Sequence, residues 1–379
     1  MLSGLTTVAI VIILTIPQIF SLQEKENSMM HLRQALAALF FVILGSVAAM
    51  AQTPVEGMGE LERLLQAGDT ASAIEFCTER IAEASDDEPA VDTFLLRRGT
   101  LYLNGGQLSK ASADFDALLR SNPDHSPALA YRGVLSLEKG DIDSCKRDLK
   151  RAVELDDGNV FAWTILHVLA VQLQEPDKAL LAARKCLHYD STKSQHWDFM
   201  GSAYAMFDRH DDALAAFDKA LALNPEDEMA WVLKADVFHT LGEIDSNLVC
   251  LQNALAIDPE NTAYLGNVAF LKSEKGLYDE AAALFERLIE LDDANPYIFN
   301  NYGYVLFRTG KADEAIQMIG QSLRMAPGNP YAYRNLALIH IQEGEPEQAC
   351  AMIEKALELG FTAKYGDEVE QLKAEHCGE

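Results

Sequence analysis

Ser194–Asp227 reads SQHWDFMGSAYAMFDRHDDALAAFDKALALNPED, and its apolar and small residues fall in two runs separated by a polar turn. Trp197, Met200, Gly201 and Tyr204 lie on the first run; Ala213, Phe217 and Ala220 lie on the second, and Pro225 closes it. Spacings of three and four place each set on one helical face. The arrangement extends in both directions. From Asp92 to Ala363 the chain divides into eight consecutive blocks of 34 residues with no insertion or deletion, the mark of a repeat architecture.

Each column of these blocks has a physical reason. The eighth position holds Gly99, Gly133, His167, Gly201, Ala235, Ala269, Gly303 and Ala337, and two helices approach closely only where one has little side chain. The twentieth position supplies the facing small surface, with Ala111, Cys145, Ala179, Ala213, Asn247, Ala281, Ala315 and Ala349. Large residues fill neighbouring slots, among them Trp163, Trp197, Trp231, Phe299 and Tyr333 at the fourth position and Phe115, Leu149, Phe217, Leu251 and Phe285 at the twenty-fourth. Gly106, Gly140, Gly242, Gly276, Gly310 and Gly344 share the fifteenth position, where one helix stops and the chain turns. Pro176 and Pro346 follow at the seventeenth, tolerated because the first helical turn has unbonded N–H groups.

The residues Trp197, Met200, Gly201, Tyr204, Ala213, Phe217, Ala220 and Pro225 fall on W-x2-L-G-x2-Y, then A-x3-F, then P, and in this the stretch resembles the tetratricopeptide-repeat family. The resemblance implies an all-α fold, a right-handed α-solenoid of helix-turn-helix repeats, over residues 92–363. Residues 52–91 read as a degenerate capping repeat, with Gly68 at its turn and Ala73 in its small column, and residues 364–379 as a short amphipathic capping helix. Block 160–193 departs most, with His167 in the small column, Gln174 for the turn glycine and Ser191 for the closing proline. A looser helix pairing is expected there.

The N-terminus carries two apolar stretches. Residues 35–51, ALAALFFVILGSVAAMA, follow Met30, His31 and Arg33 and end in Ala49-Met50-Ala51, so residues 29–51 read as a secretory signal peptide cut before Gln52. An uncleaved membrane anchor is the alternative, although the run is short for a span. Residues 1–28 lack a basic segment before their apolar run, and Pro17 interrupts it. They read as an upstream extension; the alternative is a two-span membrane hairpin, against which the linker 23–34 carries no clear orienting charge bias. The expected location is therefore outside the cytoplasm, in the periplasm, or at the membrane if the segment is retained.

Charge narrows the partner. The chain holds 31 Lys and Arg against 58 Asp and Glu, a net charge of −27, and an acidic surface repels polyphosphate, which argues against nucleic acid. Six cysteines form no C-x2-C pair. Cys145 and Cys186 occupy small apolar columns and read as packing residues; Cys350 and Cys377 either remain thiols or pair if the capping helix folds back in an oxidising compartment. No H-E-x-x-H, G-x-S-x-G or glycine-rich phosphate loop is present. Asp141/Asp143 and Asp156/Asp157 sit at turns, where they are read as helix caps rather than calcium ligands. No catalytic residue, metal site or cofactor is expected.

Function then falls to the concave surface lined by the first helix of each repeat. In the family this chain resembles, positions two, five, six, nine, twelve and thirteen face the groove. Here they are Tyr297, Asn300, Asn301, Tyr304, Phe307 and Arg308 in one block, and Tyr331, Arg334, Asn335, Leu338, Ile341 and Gln342 in the next, with Asn267 and Phe270 ahead of them. Large rings bury area while amides satisfy a backbone. Asn267, Asn301 and Asn335 are spaced by 34 and admit two readings: a ladder that holds an extended peptide backbone, or amides that tie neighbouring helices together. Leu96 and Thr100, or Asn300 and Tyr304, stand where a chaperone-tail clamp needs Lys and Asn, so that function is not expected. The sequence thus points to a non-enzymatic scaffold of the cell envelope that binds a protein or peptide segment in this groove. The alternatives are an accessory subunit that activates or positions an envelope enzyme, and a membrane-tethered assembly factor.

Overall fold

The computed structural model describes residues 57–84 and 89–378. The extension 1–28, the signal segment 29–51 and the cut before Gln52 lie outside the described residues. Among the described residues there are twenty α-helices and no strand. In chain order they are α1 (Met58–Gln66), α2 (Thr70–Glu83), α3 (Pro89–Asn104), α4 (Leu108–Ser121), α5 (Ser126–Glu138), α6 (Ile142–Leu155), α7 (Val160–Gln172), α8 (Pro176–Tyr189), α9 (Ser194–Ala205) and α10 (His210–Leu223). Then come α11 (Glu228–Thr240), α12 (Ile244–Ile257), α13 (Thr262–Glu274), α14 (Tyr278–Leu291), α15 (Pro296–Arg308), α16 (Ala312–Met325), α17 (Pro330–Gln342), α18 (Pro346–Glu358), α19 (Phe361–Tyr365) and α20 (Glu368–His376). From α6 to α18 each helix starts 34 residues after the last but one. The chain divides into two compact units, one ending at Val237 and one beginning at Phe238, and no described helix is long and apolar enough to cross a membrane.

The turns explain this regularity. Gly106, Gly140, Gly242, Gly276, Gly310 and Gly344 all hold φ between 70 and 81°, a conformation an L side chain resists. The next residue returns its N–H to a carbonyl five residues back, as Gln107 does to Tyr102 at 2.8 Å, which closes the helix end. At the far end of most blocks a side chain opens the next helix, Lys193 before α9 being an exception. Asn159, Asn261, Asn295 and Asn329 each accept a hydrogen bond from a first-turn N–H, satisfying a donor with no intrahelical partner. Asp141 does the same for α6 through the Ser144 N–H. Asp156 and Asp157 depart from the capping expectation: Asp156 Oδ1 accepts from Gly158 N within the turn, and Asp157 accepts from Lys185 Nζ and Tyr189 Oη.

Packing within a pair rests on one small and one large column. A Cβ placed on Gly201 would lie 2.7 Å from Cδ1 and Cζ of Phe217, and one on Gly99 would lie 2.6 Å from Cε1 of Phe115. The sequence set Gly201 against Ala213; in the structure the Phe217 ring covers it. Gly303 likewise meets Ile319 Cγ1 at 2.6 Å and the Ala315 carbonyl at 3.0 Å. Trp163, Trp197 and Trp231 donate their indole N–H to the carbonyls of Asp157, Ser191 and Pro225, and Tyr333 Oη donates to that of Pro327. The fourth-position ring therefore also pins the turn six residues before it.

His167 shows how the irregular block is accommodated. Its ring is buried, stacks on Phe199 with centroids 4.4 Å apart, and hydrogen-bonds the Ala179 carbonyl at 3.0 Å and Ser202 Oγ at 3.2 Å. The twenty-fourth position of the same block is Ala183, fully buried. Here the bulk moves from the second helix to the first. The looser pairing expected at this block is replaced by a complementary exchange of sizes.

The N-terminal helices bury Leu61, Ala73 and Cys77 with Phe94 of α3. Cys145 and Cys186 are buried as well, and burial pushes both thiols up to about 12, so they behave as apolar packing groups. At the C-terminal end Phe361 and Val369 bury against Ala337, Ile353 and Ala356. Of the two fates open to Cys350 and Cys377, the structure shows the disulfide, with Cα atoms 5.6 Å apart.

Candidate functional site

The residues singled out in the sequence lie on α13, α15 and α17, the first helices of three successive pairs within the unit that begins at Phe238. Their exposure sorts them. Phe270, Tyr297 and Tyr331 are 49, 48 and 39% exposed, which leaves apolar ring area open to solvent. Asn267 and Arg308 are also exposed, Asn301, Tyr304, Phe307 and Arg334 are half-buried, and Phe307 packs on the core beneath. Asn300 and Asn335 are 3 and 4% exposed.

That burial has a cause. Asn335 Nδ2 donates to Asn300 Oδ1 at 3.0 Å, Asn300 Nδ2 donates to Asn301 Oδ1 at 3.1 Å, and Arg334 Nη1 donates to Asn335 Oδ1 at 2.9 Å. Between α15 and α17 the amides therefore tie one helix to the next. A buried amide needs its partners inside the protein, and Asn335 cannot also serve as a rung for a peptide. The three-rung ladder of Asn267, Asn301 and Asn335 is corrected accordingly: Asn335 belongs to the helix-tying reading, while Asn267 and Asn301 remain on the accessible face.

Cations and rings form a second layer. Arg308 lies over the rings of Tyr278 and Tyr304 at 4.7 and 5.7 Å, and its Nη1 donates to Tyr304 Oη at 2.8 Å. Those contacts, the hydrogen bond first, hold its guanidinium above the usual arginine range. Arg334 also lies over the Tyr304 ring, 5.6 Å from its centroid. Its Nε donates to both carboxylate oxygens of Glu368 at 3.1 Å.

Two residues of this face are absent from the sequence reading. Tyr365 is 41% exposed and meets Tyr331 with centroids 4.4 Å apart, while Phe361 packs edge-on against Tyr331 at 5.2 Å. Glu368 pairs with Arg334 as above. The signal for both was the period itself, since Tyr297, Tyr331 and Tyr365 are spaced by 34, as are Arg334 and Glu368. The repeat register persists into the C-terminal cap after its small and large columns have lapsed.

Comparisons with known proteins agree with the repeat. The family model described as "Cytochrome c-type biogenesis protein H TPR domain" matches residues 172–296, and two models described as tetratricopeptide repeat match residues 306–373 and residues 96–144 and 269–330. The chain belongs to the tetratricopeptide-repeat proteins, a family of protein-interaction scaffolds. Similar solved structures include a tetratricopeptide repeat protein from Parabacteroides merdae ATCC 43184, 19% identical, covering 66% of this chain and 98% of that one with a TM-score of 0.47. Others are PilW, described as a widely conserved type IV pilus biogenesis factor (19% identity, 56 and 98% coverage, TM-score 0.48), and YrrB, described as a TPR protein with an unusual peptide-binding site (20%, 51 and 97%, 0.44). Among curated proteins none matches.

Proposed function

We propose that this protein is a non-catalytic scaffold of the cell envelope that binds an extended protein segment across the first-helix face of α13, α15 and α17. The observation that carries the reading is the row of exposed aromatic rings, Phe270, Tyr297, Tyr331 and Tyr365, set beside accessible amides on one face. Exposed rings on rigid helices supply apolar area to a partner at small entropic cost. Asn267 and Asn301 lie beside them to meet a main chain. The envelope assignment is supported by two independent features: the leader-like stretch 29–51, and the Cys350–Cys377 disulfide, a bond that persists in oxidising compartments.

Site-specific photo-crosslinking tests the reading in the producing cell. A benzoylphenylalanine introduced at Tyr297 or Tyr331 should give a discrete protein adduct, whereas one at Val249, an exposed residue of the second helix α12, should not. Equal adducts at all three positions, or adducts at Val249 alone, would place the contact elsewhere. Fractionation of the cross-linked material checks the envelope assignment separately.

A further inference from the structure

We infer that the segment received by this face carries an acidic side chain, and that Arg308 seats it. The inference rests on the reading of the α13–α15–α17 face as a peptide-binding surface and names the chemistry of what it binds. Arg308 is exposed and stands at position thirteen of its block, on the same helix as Tyr297 and Tyr304. Its guanidinium is held by two neutral side chains: it lies over the Tyr278 and Tyr304 rings and donates to the Tyr304 hydroxyl. Among the described residues it makes no ion pair, in a chain that carries 58 acidic residues against 31 basic ones. A guanidinium has five N–H donors, and the one hydrogen bond to Tyr304 leaves most of that fork turned to solvent and already ordered. Pre-ordered donors bind with less entropic loss than mobile ones.

A second observation indicates what those donors accept. Two guanidiniums, those of Arg308 and Arg334, lie 5.7 and 5.6 Å from the Tyr304 ring centroid. The Arg334 seat is filled by the chain itself, because Glu368 of the C-terminal helix presents both carboxylate oxygens to its Nε at 3.1 Å. The protein thus shows at one of these two guanidiniums the group that fits the other, since a carboxylate matches the planar fork of arginine. The net charge of −27 limits the partner further. A polyacidic stretch would be repelled at long range, so the fitting segment is one or two Asp or Glu residues set among apolar or aromatic ones. The acid occupies Arg308 at the C-terminal end of α15, and apolar residues further along the segment, about five positions away at ~3.3 Å per extended residue, lie on Tyr297 and Tyr331.

Selection of a random octapeptide display library on the full chain tests this. On the wild type, recovered peptides should be enriched several-fold in Asp or Glu at one position, with apolar or aromatic residues about five positions away. Arg308→Gln should abolish that preference with helical content and melting unchanged. Replacing the selected Glu by Gln in one recovered peptide should weaken binding about tenfold to the wild type and leave binding to Arg308→Gln unaltered. Enrichment of Lys or Arg, no charge preference, or an acidic preference that survives Arg308→Gln overturns the inference. The double variant Tyr297→Ala/Tyr331→Ala separates this failure from that of the underlying reading. If it loses peptides that show no acidic preference, the peptide-binding face stands and the acidic seat falls; if it binds the recovered peptides as the wild type does, or the library yields nothing above background, both fall.

Discussion

At the residue scale, Asp208 and Gln174 hold φ of 54 and 55° at the fifteenth block position, where six other blocks place glycine. Left-handed backbone costs an L residue about 1–2 kcal/mol, less for Asp, whose short side chain bonds locally. Glycine removes that strain but adds freedom to the unfolded chain. The net expectation for Gln174→Gly or Asp208→Gly is a gain of about 0.5–1 kcal/mol, read as a rise in melting temperature of about 1–4 °C. An equal or lower melting temperature for both would mean that the native side chains make compensating contacts. The turn column was legible wherever glycine marked it, and the register set Gln174 there too, while the backbone added Asp208. The same holds in the binding face: Asn300 and Asn335 are 35 residues apart, so a search at intervals of 34 finds Asn267, Asn301 and Asn335 and misses the bond that ties α15 to α17.

At the scale of a helix pair, the decisive relation is between block positions eight and twenty-four rather than in either one. Gly201 with Phe217, Gly99 with Phe115 and Gly303 with Ile319 put the bulk on the second helix, and His167 with Ala183 puts it on the first. Read singly, His167 is a defect; read with Ala183, it is an exchange. His167→Gly alone leaves a cavity and Ala183→Phe alone overfills the site, each costing about 1–3 kcal/mol or more. Together they recreate the Gly201–Phe217 arrangement, so a double-mutant cycle should give a favourable coupling of about 1–3 kcal/mol. Additive losses would mean that the two positions do not share one space. The exchange has a pH signature too. Burial drops His167 to about 4, below the 6.5 of the unfolded chain. A depressed folded value stabilises above pH 6.5 and is lost as pH falls towards 4, a loss the double variant should not show.

At the scale of the whole molecule, a repeat array is weakest at its ends, because a terminal pair has a neighbour on one side only. The described C-terminal end is closed by α19 and α20, of five and nine residues, too short to persist unaided. Phe361 and Val369 bury there against Ala337, Ile353 and Ala356, and the Cys350–Cys377 disulfide spans a sequence separation of 27. A cross-link of that span restricts the unfolded chain by about 3–4 kcal/mol. Reduction, or Cys350→Ser with Cys377→Ser, should therefore raise hydrogen exchange across Phe361–Cys377 by about a hundredfold, while α5 and α6 keep their protection. Unaltered exchange at Phe361–Cys377 after reduction would show that the apolar contacts alone hold the cap. If the cap does loosen, Glu368 leaves Arg334 with it, and the face gains a second open guanidinium beside Tyr304. Peptide affinity measured before and after reduction would then report whether the chain's own carboxylate competes for the site it adjoins.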